Sequence, residues 1–275
     1  MSLNLDETVI QDFGNEWSKF DQTSLSSYEL NLIGNEYFHL FPWDNLPENS
    51  EGFDLGCGSG RWAKLVAHKV GHLHCIEPSI AIEIAKKNLV KNLNCSFHRN
   101  GVDDIPLKDN SMDFGYSLGV LHHIPNTENG IKSCVRKLKK GAPFLLYLYY
   151  SFDNQPNLYK FIWKISDLIR RIISKLPFNL KYILSQFIAL FIYFPLSKIS
   201  RIIELVGFKV HSIPLSAYRF KSFYTMRTDA LDRFGTKIEH RYSKLEIKKM
   251  MENSGLENIV FSNSIPFWVA LGVKK

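Results

Sequence analysis

Glycines and acidic residues that could hold a ligand occur close together near position 55. The run reads Asp54-Leu55-Gly56-Cys57-Gly58-Ser59-Gly60. Glycines let the backbone pass close to a ligand, and the first turn of a helix offers free N–H groups to an anionic group. The dinucleotide fingerprint G-x-G-x-x-G needs a third glycine where this chain has Arg61. The spacing therefore argues against a nicotinamide or flavin site.

A second acidic residue, Glu77, ends the next apolar run, His74-Cys75-Ile76-Glu77-Pro78. Its two carboxylate oxygens can accept hydrogen bonds from both hydroxyls of a ribose. Glu77 alone is compatible with a surface carboxylate, and Asp54 alone with a helix cap. Together, at the ends of consecutive predicted strands, they favour a cofactor site.

The elements that must position these residues alternate between strands and helices over 51–150. Apolar runs predict strands at 52–55, 72–77, 95–98, 112–118 and 142–150. Helical patterns fall at 62–70, from the cap residue Ser79 to position 90, and at 131–138. Near the end of the chain, the capping box Ser243-Lys244-Leu245-Glu246 predicts a helix up to Gly255, followed by strands at 256–261 and 267–273. This alternation is typical of a mostly parallel sheet.

A different pattern fills the segment between the fifth and sixth predicted strands. Apolar residues recur at helical spacing over 157–176, and 182–194 is apolar nearly all round. We expect Pro195 to end this second helix, which leaves it shorter than the ~20 residues that span a bilayer. The predicted organisation is a helical cap at 1–50, a core at 51–150, a helical insertion at 151–240, and a final helix and two strands at 241–275.

Three further motifs follow the glycine turn in order, Asp104-Ile105-Pro106-Leu107, Ser111-Met112-Asp113 and Leu121-His122-His123. With these motifs the chain resembles the class I S-adenosylmethionine-dependent methyltransferases over about 50–150, in the small-molecule branch with D-x-G-C-G-x-G and L-H-H motifs. The resemblance implies an α/β, Rossmann-like, mostly parallel seven-stranded sheet. Helices cover both faces, and a helical insertion follows the fifth strand. The cofactor would be S-adenosylmethionine, with S-adenosylhomocysteine as product.

The resemblance also implies roles for individual residues in cofactor binding. The methionine moiety would be surrounded by the first strand end and its turn, namely Asp54, Leu55, Gly56, Cys57, Gly58 and Gly60. Glu77 would hold the ribose, with Pro78 beside the adenine. The adenine edge would lie against Val102, Asp103 and Asp104, and the methionine amine near Leu118 and Gly119. The family usually has an acidic residue directly before Val102, and this chain has Gly101 there. Arg61 could pair with the methionine carboxylate or be a surface cation.

Three residues are candidates for catalysis, His122, His123 and Tyr149. The histidines follow the fourth strand at the carboxyl edge of the sheet, where α/β proteins place their sites. One histidine could act as a base or orient the acceptor, and a structural role in the turn is the alternative. Tyr149 could stack or donate a hydrogen bond, although β-propensity alone explains it. Adjacent histidines chelate poorly, so we expect no metal.

Helical spacing places Phe13, Trp17 and Phe20 on one face of a helix before the first strand. We expect this face to pack on the sheet, and the same helix to cover the cofactor. The N-terminus lacks a basic segment followed by an apolar one, and the four cysteines form no C-x-x-C pair, so a reducing cytoplasm is expected.

Charge is distributed unevenly along the chain. Residues 1–50 contain nine acidic residues and one Lys, whereas 155–250 contain eighteen Lys and Arg against six acidic residues. A packed apolar lid, an anionic membrane surface contacted through 157–200 and an oligomer interface are three interpretations of the basic insertion. The oligomeric state is not predicted. Nucleic acid is not expected as a partner, because Ser117-Leu118-Gly119-Val120 stands where amino-methylating enzymes of nucleic acids carry (N/D)PP(Y/F).

These observations predict in-line methyl transfer to a small, hydrophobic or lipid-linked acceptor, at oxygen, carbon or nitrogen. The alternative from another class is a protein that binds S-adenosylmethionine without catalysis, as a partner or sensor. A nucleic-acid methyltransferase is the second alternative.

Overall fold

The structure is a computed structural model that describes residues 4–210 and 212–275. It divides the chain into two compact units. The first unit contains the chain up to Thr23, Leu30–Ser151 and Ile238–Lys275, and the second contains Ser24–Glu29 and Phe152–Lys237. The predicted site residues all belong to the first unit.

A seven-stranded sheet forms the centre of the first unit. In chain order its strands are β1 Glu51–Leu55, β2 His72–Ile76, β3 Cys95–His98, β4 Phe114–Leu118, β5 Pro143–Tyr147, β6 Leu256–Phe261 and β7 Val269–Lys274. The spatial order is β3-β2-β1-β4-β5-β7-β6, with β7 antiparallel to both of its neighbours and all other pairs parallel. The predicted mostly parallel seven-stranded sheet is therefore confirmed. Because β1 lies centrally between β2 and β4, the turns after these strands meet at one edge.

Helices of the first unit cover both faces of this sheet. They are α1 Glu7–Lys19, α2 Ser27–Phe38, α3 Ala63–Val66, α4 Ala81–Asn88, α5 Thr127–Lys137 and α10 Lys244–Asn253, of which α2 begins within the second unit. The predicted capping box opens α10, since the Ser243 side chain accepts from the Glu246 N–H and the Glu246 carboxylate accepts from the Ser243 N–H. The predicted helix at 62–70 is shorter than expected, because a 3₁₀ turn follows α3.

Alternate residues of the central strands enter two separate apolar cores. Phe144 and Leu146 belong to one core with Phe53 and Ile131, whereas Leu145 belongs to the other. Successive side chains of a strand point to opposite faces, and a parallel sheet covered on both faces is buried on both. This explains the nearly continuous apolar run in β5.

The second unit is helical and has its own small core. Its helices are α6 Asn157–Ile173, α7 Phe178–Ile188, α8 Phe194–Leu205 and α9 Phe223–Gly235. The core consists of buried residues from these helices, including Ile173, Ala189, Met226 and Phe234. The helix α9, against which α6 and α7 pack, has no clear signal in the sequence pattern.

The expectation that Pro195 ends a helix is wrong. A π-helical turn at Ala189–Tyr193 joins α7 to α8, so the helix runs from Phe178 to Leu205. Pro195 lies in the first turn of α8, where the missing N–H costs little after the change in hydrogen-bond register. By length and composition this 28-residue helix could cross a membrane, with a mean hydropathy of 1.5 in its most apolar window.

Candidate cofactor and acceptor site

The glycine turn begins after Leu55, the last residue of β1, and contacts the end of β2. The N–H groups of Gly56 and Cys57 both donate to the Ile76 carbonyl, at 2.8 and 3.1 Å. Gly58 has φ +52°, and a Cβ at this position would lie 2.9 Å from the Trp17 ring. Only glycine combines this left-handed backbone with so close an approach. Burial raises the pKa of the Cys57 thiol to about 11, so that thiol is protonated at neutral pH.

Glu77 follows β2 and connects it to the glycine turn. One oxygen of its buried carboxylate accepts from the Gly58 N–H at 3.1 Å, and the other accepts from the Ser79 N–H at 3.0 Å. Burial raises the pKa of Glu77, and the bonds from Ser79 and Gly58 oppose this rise. The structure therefore brings Glu77 against the predicted glycine turn.

Asp54 is buried on β1 without a hydrogen bond of ordinary geometry to either carboxylate oxygen. Desolvation raises its pKa to about 8, the nearby Tyr116 hydroxyl lowers it, and the negative charge of Glu77 raises it further. A buried carboxyl without partners is costly, and such groups occur where a ligand or water completes the hydrogen bonding. Asp54 is thus a buried carboxyl at the edge of the sheet, largely protonated at pH 7, whose hydrogen bonding a ligand or water would complete.

Two more polar groups beside the turn are buried without hydrogen bonds. The Nε atom of Arg61 has no partner, and its guanidinium lies 4.2 Å from the ring centroid of Trp62 and 5.7 Å from that of Trp17. The Ser59 hydroxyl is likewise unbonded. Arg61 also lowers the pKa of Asp54 through its charge. Donors and an acid of this kind suit a ligand that carries both an ammonium and a carboxylate.

The residues predicted at the adenine have different environments. Val102 is buried in the core, whereas Asp103 accepts a hydrogen bond from the Asn4 N–H. Asp104 is exposed and accepts from the Asn100 side chain at 2.7 Å. A Cβ at Gly101 would lie 2.5 Å from a methyl of Leu5, so the N-terminal segment fills the space where the family usually places an acid. Of the predicted set, Asp103 and Asp104 are both exposed, whereas Val102 is not.

The remaining predicted cofactor residues lie at or just after the ends of strands, at the same edge of the sheet. Pro78 follows Glu77 directly, and Leu118 is the last residue of β4. Gly119 has φ +82°, with open space where a Cβ would stand, and its N–H donates to the Tyr147 carbonyl at 3.1 Å. A Cβ on Gly56 would meet the Val120 side chain at 2.4 Å, so the turns after β1 and β4 are in contact.

The three predicted catalytic residues form one cluster. His122 and His123 lie on a 3₁₀ turn with ring centroids 4.0 Å apart, and the Tyr149 ring stacks on His122 at 3.8 Å. The Tyr149 N–H lies 3.4 Å from His122 Nδ1, which places the ring proton of neutral His122 on Nε2. The pKa of His122 is well below its usual value, because of burial first and of His123 second. His122 is therefore neutral at pH 7.

His123 has the opposite tautomer. Its Nδ1 lies 2.7 Å from the Ile238 carbonyl, which can only accept, so Nδ1 carries the proton and Nε2 carries the lone pair. His122 thus has a donor nitrogen at Nε2, and His123 has an acceptor nitrogen at Nε2. Sequence reasoning could not separate these roles, since only the tertiary partners decide them.

A segment not predicted from the sequence, residues 239–242, runs beside this cluster. The His240 N–H donates to the His122 carbonyl at 2.9 Å, and His240 Nε2 is buried without a hydrogen bond. Arg241 lies over the Tyr149 ring at 4.9 Å and pairs with Glu239 at 2.7 Å. The run Glu239-His240-Arg241-Tyr242 directly before the capping box is the signal that could have revealed it.

The N-terminal helix α1 covers both groups of residues. Phe13 packs on the His123 ring at 5.0 Å, Trp17 contacts Gly58, and Phe20 is buried. One face of α1 therefore touches both the histidine cluster and the glycine turn. Among residues 4–210 and 212–275, no group of three or more His, Cys, Asp or Glu is arranged to hold a metal ion.

Comparison with known sequences identifies this region. Residues 53–146 match the family model described as a methyltransferase domain. A tRNA (carboxymethyluridine(34)-5-O)-methyltransferase from Schizosaccharomyces pombe is 28% identical over 110 residues, 38% of this chain and 44% of the relative. Phosphoethanolamine N-methyltransferase 2 from Caenorhabditis elegans is 30% identical over 100 residues, 35% of this chain and 23% of the relative. The chain thus spans less than half the length of either relative.

Solved structures share the fold at low sequence identity. A chain from the complex of the Haloferax volcanii Trm112 methyltransferase activator with a methyltransferase has a TM-score of 0.52 and 14% identity, covering 96% of this chain and 97% of that one. The YcgJ protein from Bacillus subtilis has a TM-score of 0.52 and 12% identity, covering 91% of this chain and 99% of that one. Family match, sheet order and glycine turn agree: residues 53–146 match a methyltransferase domain and have the Rossmann-like fold of the class I S-adenosylmethionine-dependent methyltransferases.

Proposed function

We propose that this protein transfers a methyl group from S-adenosylmethionine to a small, hydrophobic or lipid-linked acceptor. The observation that carries the proposal is Asp54, a buried carboxyl at the carboxyl edge of β1 whose oxygens have no hydrogen bond of ordinary geometry and whose polar neighbour is the Tyr116 hydroxyl. Together with Glu77 it provides two acids on neighbouring strand ends, one of them beside the glycine turn. A ligand with an ammonium group and a ribose would satisfy both.

The residues at this edge fit the cofactor. Glu77 would hold the ribose hydroxyls, Asp54 and the turn at Gly56–Gly60 would surround the methionine moiety, and Arg61 would meet its carboxylate. The buried polar atoms of Asp54, Ser59 and Arg61 that lack protein partners support this assignment. When bound, the cofactor supplies an electrophilic methyl group on a sulfonium sulfur.

The histidine cluster would serve the acceptor. His122 would donate from Nε2 to an acceptor oxygen or nitrogen, and His123 Nε2 would take a proton where the acceptor must lose one. Tyr149 holds His122 by stacking and by its N–H. The contact of α1 with both groups would exclude water from them. Orientation in a dry site is the main requirement for an in-line displacement.

A small acceptor is favoured by the aromatic, neutral character of this cluster. The rings of His122, His123 and Tyr149 contact one another, Phe13 packs on His123, and His122 is uncharged at neutral pH. The relatives are named for tRNA and phosphoethanolamine acceptors, so RNA is the principal alternative. A tRNA acceptor would predict a salt-sensitive activity on RNA that a small hydrophobic acceptor does not have.

The test is calorimetric titration with S-adenosylmethionine, S-adenosylhomocysteine and NAD. We expect micromolar binding of the two adenosyl ligands, no binding of NAD, and at least about tenfold weaker binding by Glu77→Ala, since a bond to a charged group contributes about 1.5–3 kcal/mol. Glu83→Ala is the matched control, because Glu83 pairs with Lys86 on the exposed side of α4. Absence of adenosyl binding would refute the proposal.

Turnover separates an enzyme from a binding protein. The same preparations are incubated with S-adenosylmethionine bearing a labelled methyl group, a lipid extract, a small-metabolite extract and total RNA. Label transferred to the lipid or metabolite fraction supports the proposal. Label transferred to RNA alone favours the tRNA alternative, and cofactor binding without any transfer favours a sensor.

A further inference from the structure

Exposed apolar side chains are concentrated in the helices of the second unit. Among the described residues, twenty of the twenty-nine large apolar side chains that are exposed lie between Leu158 and Phe208. Monomeric soluble proteins rarely expose contiguous apolar patches of more than a few hundred Å², and larger ones mark interaction sites.

On α6 the exposed apolar residues form one stripe. They recur every three or four residues, as Leu158, Phe161, Ile162, Ile165, Leu168, Ile169 and Ile172. Phe161 is 60% exposed and Leu168 63%. The opposite face of the helix is fixed to the rest of the unit, since buried Asp167 pairs with Arg170, which donates to the Thr236 carbonyl. The stripe is thus the outward face of α6.

On the helix from Phe178 to Leu205 the usual distribution of polarity is inverted. The buried residues recur every three or four positions and are mostly polar or small, namely Lys181, Ser185, Ala189, Tyr193, Ser197 and Ser200. The exposed residues are apolar apart from Asn179 and Arg201, and they include Phe187, Phe191 and Leu205, which is 78% exposed. Only 28% of the most apolar window is buried. A helix that places its polar residues inside is built for apolar surroundings outside.

Cations border these apolar faces. Lys164 and Arg171 stand four residues before and three after Leu168, so they lie along one side of the α6 stripe, although Arg171 also pairs with Asp167. Lys175 is exposed just beyond the end of α6. Between 157 and 210 there are nine Lys and Arg against two acidic residues. Long cationic side chains at the margin of an apolar stripe are typical of helices in a membrane interface, where they meet anionic headgroups.

We propose that the exposed apolar faces of α6 and of the Phe178–Leu205 helix dock onto a bilayer that contains anionic lipids. A second copy of this chain would cover the same apolar residues but would bring like charges together, which disfavours it. RNA would match the charge but would leave more than a dozen exposed apolar side chains in water. A bilayer surface is complementary to both features.

The helix lies in the interface rather than across the bilayer. Its polar side chains Tyr182 and Gln186 accept hydrogen bonds from Arg227 on α9. Spanning would require α9, which carries Asp229, Asp232 and Arg233, to enter the hydrocarbon with it or these bonds to break, and both are costly in lipid. Insertion of the outer face alone keeps them intact.

The test is flotation of the full-length protein with vesicles of phosphatidylcholine, with and without phosphatidylserine. We expect binding to the anionic vesicles, and at least about tenfold weaker partitioning for Phe161→Ser combined with Phe191→Ser. Lys164→Glu combined with Lys175→Glu should have an effect of similar size, and binding should fall at high salt. Circular dichroism checks that the variants are folded.

Matched controls use exposed residues of the first unit. Val90→Ser with Leu93→Ser, at sites 71% and 94% exposed, and Lys140→Glu should leave vesicle binding unchanged. Equal binding by wild type and the Phe161 and Phe191 variant would overturn the inference, as would failure to bind anionic vesicles. Lipid-free self-association that these apolar substitutions abolish would assign the surface to a second copy instead.

This inference is independent of methyl transfer, and one measurement separates the two. The Phe161 and Phe191 variant should bind S-adenosylmethionine with the affinity of the wild type. Loss of cofactor binding in Glu77→Ala with unchanged flotation would show that the cofactor site is not needed for membrane docking. Loss of flotation in the Phe161 and Phe191 variant with unchanged cofactor binding would show that the apolar surface is not needed for cofactor binding.

Discussion

The Glu77 carboxylate accepts a hydrogen bond from the Gly58 N–H at 3.1 Å, and this bond joins the end of β2 to the turn that follows β1. The turn is thereby fixed by an acid that is also the candidate for ribose binding. A second contact comes from α1, because the Trp17 ring packs so closely on Gly58 that a Cβ there would lie only 2.9 Å from it. The glycine turn is therefore clamped between the sheet and α1.

The first prediction concerns this clamp. Gly58→Ala should lower the free energy of unfolding by at least about 1–2 kcal/mol, from its left-handed backbone (φ +52°) and from the clash with Trp17. Gly141→Ala is the control, because Gly141 has φ +79° but open space around a Cβ, so it has only the backbone cost. Urea titrations of both variants measure the difference.

A double-mutant cycle isolates the steric part of this effect. Trp17→Ala removes the ring, so it should cost less in the Gly58→Ala background than in the wild type. Additive free energies would show that the two residues do not clash, contrary to the structure.

The second prediction concerns pH and Asp54. The pKa of this carboxyl is raised from 3.8 to about 8, so the folded state keeps its proton while the unfolded state loses it. Its contribution to stability is full below about pH 4 and is lost as pH rises toward 8. Asp54→Asn should therefore become progressively more stable than the wild type between pH 5 and 8. Thermal unfolding of both proteins across this range measures the difference.

Ligand binding offers a check on the same carboxyl. An ammonium group beside Asp54 would favour its charged form, so S-adenosylmethionine binding at pH 7 should release a proton. Calorimetry in buffers of different ionisation enthalpy measures this release, which Asp54→Asn should reduce. A stability difference that does not vary with pH would contradict the raised pKa.

The third prediction concerns the tautomers of the two adjacent histidines. Nitrogen-15 NMR should show neutral His122 with its proton on Nε2 and His123 with its proton on Nδ1, as their hydrogen bonds require. The pKa of His122 is well below its usual value, so its signals should not shift between pH 7.5 and 6. Titration of His122 near pH 6.5 would show that its ring is not buried. Tyr149→Ala, which removes the stacked ring, should raise this pKa.

The fourth prediction concerns the link between Glu29 and α9 in the second unit. One oxygen of buried Glu29 accepts from the Ser222 N–H at 2.8 Å and from the Thr225 hydroxyl at 2.7 Å. Glu29→Ala should cost about 1–3 kcal/mol, because it leaves these donors without their acceptor. Hydrogen exchange at the start of α9 should accelerate. Glu257→Ala, at an exposed position of β6, is the control and should change neither measurement.

Local patterns were sufficient to predict most of the first unit. The strands near Asp54 and Glu77 were predicted because apolar runs of four to six residues ended in turn residues, and parallel strands bring their carboxyl ends to one edge. The capping box at Ser243 was predicted because its two hydrogen bonds are local. The position of Glu77 against Gly58 could not be read from spacing, since it depends on strand pairing.

The second unit was predicted less well, for a physical reason. Pro195 predicts a helix end by its chemistry, but the π-helical turn before it shifts the hydrogen-bond register and lets the helix continue. The helix α9 has a weak apolar pattern because it packs partly against polar side chains, through Arg227 to Tyr182 and Gln186. Neither effect is visible in a window of adjacent residues.

By itself, the sequence determined the fold class, the glycine turn and the pair of acids at consecutive strand ends, because all of these depend on short-range spacing. Only the tertiary structure decided which histidine nitrogen carries the proton, since the Ile238 carbonyl and the Tyr149 N–H come from distant parts of the chain. It also decided that the apolar residues of α6 and of the Phe178–Leu205 helix face outward, because α9 occupies their polar faces.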